Sequence, residues 1–241
     1  MSLLETEAVI LNGLRLGEAD KLVTLLTARK GKVKAVAKGA RRPRSRFGAA
    51  LEPFMHCHVI LFEKKPTVLM RMNQADILMP FMKIREDLER IETASRMVRI
   101  VSALLPEGEA NPKIFSLLLA GLGEVEKSGH LEWLLRVFEI RCLKHAGYQA
   151  RLDRCLICDR GIDAKAVYFS PKNGGTLCGP CARTLAEPLE PVSAGTVSLL
   201  RLVGRMNWAG LSRLKASPKM LQEVKNVNDA HLRFILGKSV Y

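Results

Sequence analysis

The sequence predicts an α+β protein in which a small five-stranded β-barrel precedes a helical domain. Three observations support this prediction: short apolar runs fill residues 5–78, the apolar spacing becomes helical after Pro80, and two Cys-x2-Cys motifs lie late in the chain. The chain has 241 residues, 48% of them hydrophobic, which is enough to bury a substantial core. We therefore expect two domains, 1–80 and 81–241, with a cysteine-rich insert at 151–185.

The first 78 residues contain five short apolar runs separated by turn residues. In order, the runs are EAVILNGLRL, LVTLLTA, KVKAVAKG, PFMHCHVILFEK and TVLMRMNQADIL. The turns between them are marked by Gly17, Gly31, Gly39, Gly48 and Pro66. Five strands with no long helix between them favour a closed barrel of the OB-fold type. A five-stranded open sheet fits the same pattern.

After Pro80 the apolar residues recur at helical spacing. The stretch 81–105 predicts a first helix with one apolar stripe, formed by Ile84, Leu88, Ile91, Met97 (or Ala94) and Ile100. A second helix is predicted to begin with Asn111 as its N-cap and Pro112 at its first position. The third, LEWLLRVFEIRCLKHAGY, is apolar around most of its circumference, so we expect it at the centre. Two more helices are predicted near 193–209 and 218–236.

Four of the six cysteines have the spacing of a metal site. Cys155 and Cys158 form one Cys-x2-Cys pair, and Cys178 and Cys181 form a second pair after nineteen intervening residues. Each tight turn can direct two thiolates at one ion about 2.3 Å away, and two such turns complete a tetrahedron. The spacing therefore predicts a structural Zn2+, with two disulfides or redox-active dithiols as the alternatives. The remaining two cysteines are predicted to be core thiols: Cys57 and Cys142.

No catalytic constellation is evident in the sequence. His56 and His58 share one face of a predicted strand, where packing or surface histidines are commoner than a metal pair. Acidic residues alternate with arginines on the polar side of the first helix, which favours a solvated face over a nuclease centre: Glu86, Asp87, Glu89 and Glu92. The chain has no P-loop, G-x-G-x-x-G, H-E-x-x-H or G-x-S-x-G motif. We therefore predict a binding protein and not an enzyme.

The formal net charge of +14 predicts an anionic partner, of which nucleic acid is the commonest. The charge is concentrated between Arg29 and Arg46, where nine of eighteen residues are Lys or Arg and none is acidic. Lys32 and Lys34 alternate with apolar residues, so they point to one face of a strand, whereas the later cations lie in a loop that contains Pro43. A strand face beside a basic loop is typical of proteins that follow a phosphate backbone.

Few aromatic side chains accompany this basic segment, since only Phe47 and Phe54 are near. We therefore predict binding that is dominated by phosphate contacts and tolerant of base sequence. A charged face that only keeps the protein in solution is the alternative, although such faces usually mix both signs. From Arg201 to Tyr241 the chain has eight Lys or Arg against two acidic residues, and a second, weaker contact surface there is a further hypothesis.

The stretch GEADKLVTLLTARKGKVKAVAKGARRPRSRFGAALEPF, residues 17–54, resembles the N-terminal signature of the RecO family of bacterial recombination mediators. The rest of the chain matches the family by the order of its parts, including the four cysteines after the third helix and LGKS near the end. The resemblance implies an OB-fold, binding of single- and double-stranded DNA, and annealing of complementary strands. It also implies assistance in loading the RecA recombinase onto DNA covered by single-stranded DNA-binding protein (SSB), with RecR as a partner in the RecF pathway of repair.

The resemblance also indicates which residues of this chain perform these tasks. The family's basic OB surface corresponds to seven DNA-binding residues: Lys32, Lys34, Lys38, Arg41, Arg42, Arg44 and Arg46. Its zinc ligands correspond to Cys155, Cys158, Cys178 and Cys181. In the family, the pocket for the acidic tail of SSB lies on the helical domain, but no local motif identifies its residues in this sequence.

Two other classes of protein are compatible with parts of the sequence. A zinc-ribbon transcription regulator would need a recognition helix or a base-reading arm, whereas the basic residues lie mainly on a strand and a loop. A metal-dependent nuclease would need clustered carboxylates in a cleft. The N-terminus lacks the features of a signal peptide and no apolar run approaches a membrane span. We therefore expect a cytoplasmic, nucleoid-associated protein with no membrane or small-molecule partner.

Overall fold

The structure, a computed structural model, describes residues 2–63, 69–162, 167–206, 208–211, 214 and 216–237. Some residues of the proposed C-terminal basic surface lie outside these ranges: Arg213, Lys215 and Lys238. The described chain divides into two compact units, 1–131 and 132–241. Residues 81–131 therefore cluster with the barrel, and the predicted boundary at 80/81 stays a prediction. None of the described helices combines the length and the apolar character that crossing a membrane requires.

Five strands form a closed barrel in the first unit: β1 (Ser2–Leu16), β2 (Asp20–Thr27), β3 (Gly31–Ala37), β4 (His56–Glu63) and β5 (Leu69–Met79). Their order around the barrel is β1-β2-β3-β5-β4, and β4 pairs with β1 to close it. Every pairing is antiparallel except that of β3 with β5. The predicted five-stranded OB-fold is confirmed, and the open sheet is excluded because no strand of the ring is left at an edge.

The barrel core follows from the period-two spacing of the strands. In β3, Val33, Ala35 and Ala37 are buried, while the residues between them are partly exposed. The same face of the other strands adds Ile10, Leu25, Val59, Leu61 and Met72 to one apolar cluster. Burying each of the larger side chains contributes roughly 1.5–3 kcal/mol.

Two helices complete the first unit, α1 (Leu88–Leu104) and α2 (Pro112–Val125). The first begins later than its apolar stripe suggests, because Asp87 is its N-cap and accepts a hydrogen bond from the backbone N of Arg90 at 2.9 Å. Residues Met82–Glu86 form a separate 3-10 turn. The predicted start of α2 is confirmed, since Asn111 Oδ1 accepts from Ile114 N at 3.0 Å and Pro112 occupies the first helical position.

The second unit combines helices with a small sheet. Its helices are α3 (Leu131–His145), α4 (Gly179–Ala182), α5 (Ala194–Val203), α6 (Trp208–Leu211) and α7 (Pro218–Leu236). Its strands are β6 (Val167–Ser170), β7 (Gly175–Cys178) and β8 (Glu190–Val192), in the order β7-β6-β8. As predicted, α3 is buried around most of its circumference, including the charged side chains of Arg136 and Glu139, which pair with each other at 2.9 Å.

Candidate nucleic-acid interface and metal centre

The basic loop, residues 38–46, joins β3 to a 3-10 turn at Gly48–Leu51. Its backbone is built from turns, as the sequence predicts. Three of its cations are exposed, and their side chains form no hydrogen bond or ion pair with the residues that the structure describes: Lys38, Arg42 and Arg44. Side chains of this kind are available to an anion in solution.

The other two cations of the basic loop have partners within the first unit. Arg41 Nη1 donates to the carbonyl oxygens of Gly17 and Glu18, at 3.1 and 2.8 Å, in the turn between β1 and β2. The guanidinium of Arg46 lies over the ring of Phe47, 5.0 Å from the ring centroid, in a cation–π contact. Both side chains remain exposed while they tie the loop to the barrel.

Lys32 and Lys34 leave β3 on the predicted face, but both contact the chain around the end of α1. Lys34 Nζ lies 2.6 Å from Glu107 Oε1, and Lys32 Nζ donates to the carbonyl oxygen of Ser102. Ser102 lies in the last turn of α1, where carbonyls lack partners within the helix, so Lys32 caps that helix. Burial lowers the pKa of Lys32 below its usual value, with Glu107 opposing the shift and Lys34 adding to it.

The segment after α1, residues 105–110, covers the beginning of β3. Gly108 N donates to the carbonyl oxygen of Lys32 at 2.9 Å, next to a β-bridge between Lys32 and Glu107. Gly31 has a φ of 65°, and a Cβ there would lie 1.8 Å from the carbonyl oxygen of Glu109. Only glycine fits this approach. Among the described residues β5 pairs with β3 from Lys34 onward, and the 105–110 segment lies along β3 at Lys32.

The structure therefore separates the seven predicted DNA-binding residues into two groups. The five of the basic loop lie together on one exposed segment, whereas Lys32 and Lys34 have partners near the end of α1. The two nearby aromatic side chains are buried, with Phe47 3% and Phe54 7% exposed. Neither ring is available to stack on a base, which leaves charge as the main property that the loop presents.

The four cysteines of the two Cys-x2-Cys motifs lie together, with all sulfur atoms within 4.8 Å of one another. Cys158 Sγ and Cys178 Sγ are 3.8 Å apart. A tetrahedron of metal–sulfur bonds of about 2.3 Å has edges of about 3.8 Å, whereas a disulfide bond measures about 2.05 Å. None of the four cysteines is paired in a disulfide. The donor set fits a four-coordinate metal ion and does not fit disulfides.

Local backbone geometry shapes the two halves of this cluster. Asp159 follows the first motif with a φ of 57°, and its backbone N donates to the carbonyl oxygen of Cys155 at 3.1 Å, which closes the tight turn. The second motif leaves β7 for the single turn of α4. Gly175 begins β7, and a Cβ there would lie 2.7 Å from the carbonyl oxygen of Arg151. This close approach brings the two motifs together.

Hydrogen bonds set the acidities of these thiols. Burial acts to raise the pKa of Cys155, but hydrogen bonds with the backbone of Cys158, Cys178 and Ile157 lower the pKa to about 6. The hydrogen bond with Cys178, followed by burial and the other cysteines, raises the pKa of Cys181 to about 12. One thiol thus ionises readily while another resists ionisation. A bound cation would allow all four to be thiolates at once.

Among the described residues, these four cysteines are the only group of three or more Cys, His, Asp or Glu side chains that converges on one point. The histidines of β4 pair with carboxylates of β1 instead. His56 Nε2 lies 3.0 Å from Glu7 Oε2, and His58 Nε2 lies 3.2 Å from Glu5 Oε1. The two remaining cysteines are buried, as predicted, and burial raises the pKa of each to about 12: Cys57 and Cys142.

The second unit also contains a cavity of about 500 Å³ that sequence reasoning missed. Its apolar wall comes from α3, α5 and α7: Ile140, Leu143, Leu200 and Val227. Four cations also line it: Lys144, Arg151, Arg201 and Arg205. Two of them donate to backbone carbonyls, Lys144 to Gly204 and Arg201 to Leu152, at 2.9 Å each. Arg205 is exposed, and its side chain forms no hydrogen bond or ion pair with the described residues.

The barrel places the chain among OB-fold proteins, and comparison with known proteins gives its family. Residues 1–81 match the model of the Recombination protein O N terminal domain, and residues 85–240 match that of the C terminal domain. The DNA repair protein RecO of Anaeromyxobacter dehalogenans is 33% identical over 235 residues, covering 98% of this chain and 91% of that protein. That of Pelotomaculum thermopropionicum is 33% identical over 242 residues, covering 100% and 92%. The chain belongs to the RecO family, which confirms the resemblance inferred from residues 17–54.

Proposed function

We propose that the chain acts in DNA repair as a recombination mediator without catalysis of its own. It binds single- and double-stranded DNA, anneals complementary strands, and assists loading of RecA onto SSB-coated DNA in the RecF pathway. The observation that carries this proposal is the basic loop, where Lys38, Arg42 and Arg44 are exposed and their side chains have no hydrogen-bond or ion-pair partner among the described residues. The curated relatives are named DNA repair protein RecO, which supports the repair role.

The proposed DNA-binding surface consists of the seven cations named from the sequence: Lys32, Lys34, Lys38, Arg41, Arg42, Arg44 and Arg46. Phosphate is recognised by charge, and the buried aromatic rings leave no base-stacking platform beside the loop. Binding is therefore tolerant of sequence. If about five cations each neutralise one phosphate, the slope of log K against log salt is about −3.5 for single strands and −4.5 for duplex.

Annealing follows from the same chemistry. Two complementary strands repel each other through their phosphates, and a protein that neutralises those charges lowers the cost of bringing the strands together. Because the loop contacts the backbone, the bases of a bound strand stay available for pairing. The chain needs no nucleophile or base for this activity.

The cysteine cluster is proposed to hold a structural Zn2+. Cys155, Cys158, Cys178 and Cys181 would fill all four coordination positions, so the ion would hold the second unit's fold and activate no water. Zinc supplies folding free energy in such sites because the unfolded chain does not bind it in the same way.

The cavity of the second unit is the proposed site for the acidic tail of SSB. Apolar side chains of such a peptide would pack against Ile140, Leu143 and Leu200. Its carboxylates would meet Arg205 and the neighbouring cations. RecR is the other proposed protein partner, on the strength of family membership alone.

An annealing assay tests the proposal. Purified protein is mixed with complementary oligonucleotides and Mg2+, and the rate of duplex formation is followed together with the length of each strand. Faster annealing of intact strands is the expected result. Shortened strands would instead indicate a nuclease, and binding confined to one duplex sequence would indicate a transcription regulator.

A further inference from the structure

We propose that Asp20 and Arg41 are positioning residues that hold the basic loop in its DNA-binding shape, so that Arg41 belongs to the proposed DNA-binding surface through the loop it holds and not through a phosphate contact. The inference rests on the proposed DNA binding and adds the residues that set the geometry of the site. Asp20, although acidic, would thereby increase the affinity of the protein for a polyanion.

The start of the basic loop is hydrogen-bonded to the turn between β1 and β2. Gly39 N donates to Asp20 Oδ1 at 2.8 Å, and Arg41 N donates to the carbonyl oxygen of Ala19 at 2.9 Å. The side chain of Arg41 adds its two hydrogen bonds to the carbonyls of Gly17 and Glu18. Four hydrogen bonds thus join two segments that lie about twenty residues apart in the chain.

The end of the loop is anchored in the core. Phe47 is 3% exposed and belongs to the apolar cluster of the barrel, and its backbone N donates to Ser45 Oγ at 3.3 Å. Between these anchors, Ser45 N donates to the carbonyl oxygen of Arg42 at 3.0 Å, and Pro43 fixes one backbone dihedral. The chain that carries Arg42 and Arg44 is therefore short and held at both ends.

This anchoring matters because the cations of the loop repel one another. A free loop would spread its charges, and a phosphate backbone would have to gather them again at an entropic cost. Holding the loop in one shape before binding removes that cost, which is the usual effect of preorganisation. The residues that hold the loop therefore contribute affinity without touching the ligand.

Because Asp20 is negatively charged, its replacement distinguishes a positioning role from a purely electrostatic effect on DNA binding. If charge alone matters, Asp20→Ala removes a negative charge beside a DNA site and binding tightens. If Asp20 positions the loop, the same substitution removes the acceptor for Gly39 N, and binding to a single-stranded oligonucleotide weakens about fivefold. Asp20→Asn retains an acceptor oxygen and restores most of the lost affinity. Glu18→Ala is the matched control, because it removes a charge from the same turn while leaving the hydrogen bond of Asp20 in place.

Arg41 and Arg42 give a second comparison through the dependence of binding on salt. Arg42→Ala removes a phosphate contact, so the slope of log K against log salt becomes shallower by about 0.7 for a single strand. Arg41→Ala weakens binding with the slope unchanged, since the number of neutralised phosphates stays the same. A loss of slope in Arg41→Ala as large as that in Arg42→Ala would identify Arg41 as a phosphate contact and overturn its assignment.

Hydrogen exchange measured without DNA completes the experiment. In Asp20→Ala, the amide of Gly39 exchanges faster than in the natural protein, while the amides of β1, β2 and β3 stay protected, which shows that the barrel is folded. Equal or tighter DNA binding by Asp20→Ala, or an equal loss in Asp20→Ala and Asp20→Asn, would overturn the inference alone. Failure of the natural protein to bind DNA would instead overturn the proposed function.

Discussion

The basic loop of the first unit and the cysteine cluster of the second unit each bring together groups that repel one another when charged. In the loop, exposed cations lie close together. The loop is nevertheless held in place by the hydrogen bond from Gly39 N to Asp20 and by the burial of Phe47 in the barrel core. In the cluster, four sulfur atoms face one another within 4.8 Å, and their thiolates would repel without a cation between them. The first region is thus held in shape by the protein's own groups, whereas a metal ion at the second would balance the charges of its thiolates.

This difference separates a functional ligand from a structural one. A polyanion at the basic loop can arrive and leave because the loop keeps its shape through hydrogen bonds to the turn at 17–20. A metal ion at the cysteines would instead be part of the fold, with all its coordination positions filled by the chain. Four perturbations test this comparison, two in each unit of the chain.

Removing the metal ligands has the largest expected effect. Replacing Cys155 and Cys158 with Ser should lower the stability of the second unit by an amount on the order of 10 kcal/mol locally, as in zinc-finger peptides. Thermal unfolding with a parallel measurement of bound zinc checks this result. A chelator should destabilise the natural protein and leave the double variant unaffected. Melting of the double variant at the natural temperature would contradict a structural metal ion.

Reversing the charge of the basic loop should abolish most DNA affinity while leaving the fold intact. Replacing Arg41, Arg42 and Arg44 with Glu removes the phosphate contacts of Arg42 and Arg44, breaks the hydrogen bonds of the Arg41 side chain and adds repulsion, so we expect a loss of at least about a hundredfold at moderate salt. Fluorescence anisotropy with a labelled oligonucleotide measures it. The matched control reverses three exposed cations of α1, α2 and the following turn, with the same change in net charge: Arg99, Lys113 and Lys127. A similar loss in the control would mean that total charge, and not the loop, determines binding.

Acid should weaken the second unit through His231. Burial lowers the pKa of this histidine to about 4, from 6.5 in the unfolded chain, and its ring packs edge-on against Phe169 with centroids 5.4 Å apart. The unfolded chain therefore binds the proton more readily, so stability is fully present above pH 6.5 and falls as the pH drops towards 4. The loss amounts to about 3 kcal/mol. His231→Gln should remove this part of the pH dependence of chemical unfolding.

Residues 38–46 contain no His, Asp or Glu, so the basic loop provides the reference for the acid experiment. A pH dependence of unfolding that is the same in the natural protein and in His231→Gln would show that other groups dominate.

The smallest expected effect concerns the strand lysines. Glu107→Gln breaks the ion pair with Lys34. The side chain of Glu107 is 33% exposed and that of Lys34 is 41% exposed, so the free energy of unfolding should change by less than about 1 kcal/mol. The freed Lys34 becomes available to phosphate, and the salt dependence for single strands should steepen by about 0.7. Glu109→Gln removes a neighbouring charge without breaking the ion pair and should leave that slope unchanged. An unaltered slope in Glu107→Gln would place Lys34 outside the DNA surface.

Local signals in the sequence were sufficient for the parts of this structure that depend on neighbouring residues. The cap at Asn111, the two tight turns of the cysteines and the alternation along β3 each follow from a few adjacent side chains. The start of α1 was predicted too early, because the apolar stripe continues through the 3-10 turn before Asp87. Helical spacing alone cannot distinguish a capped helix from a turn that packs in line with it.

Contacts between distant segments could not be predicted from one sequence. The bond from Lys32 to Ser102 joins residues seventy positions apart, and the alternation of β3 shows only that the lysine points outward. The cavity near Arg205 is likewise built from helices that no local motif connects. Sequence reasoning therefore identified which residues carry charge but not which of those charges have partners inside the protein.

The 105–110 segment has a consequence for where this chain can be cut. A fragment that ends at residue 80 would contain all five strands, but it would lack the backbone N–H of Gly108 that bonds to Lys32. It would also uncover the first residues of β3, leaving backbone groups that could pair with another chain. A fragment that ends after α2 keeps this cover. The shortest autonomous piece that contains the barrel should therefore include the first two helices, and a fragment that stops at the end of β5 should self-associate.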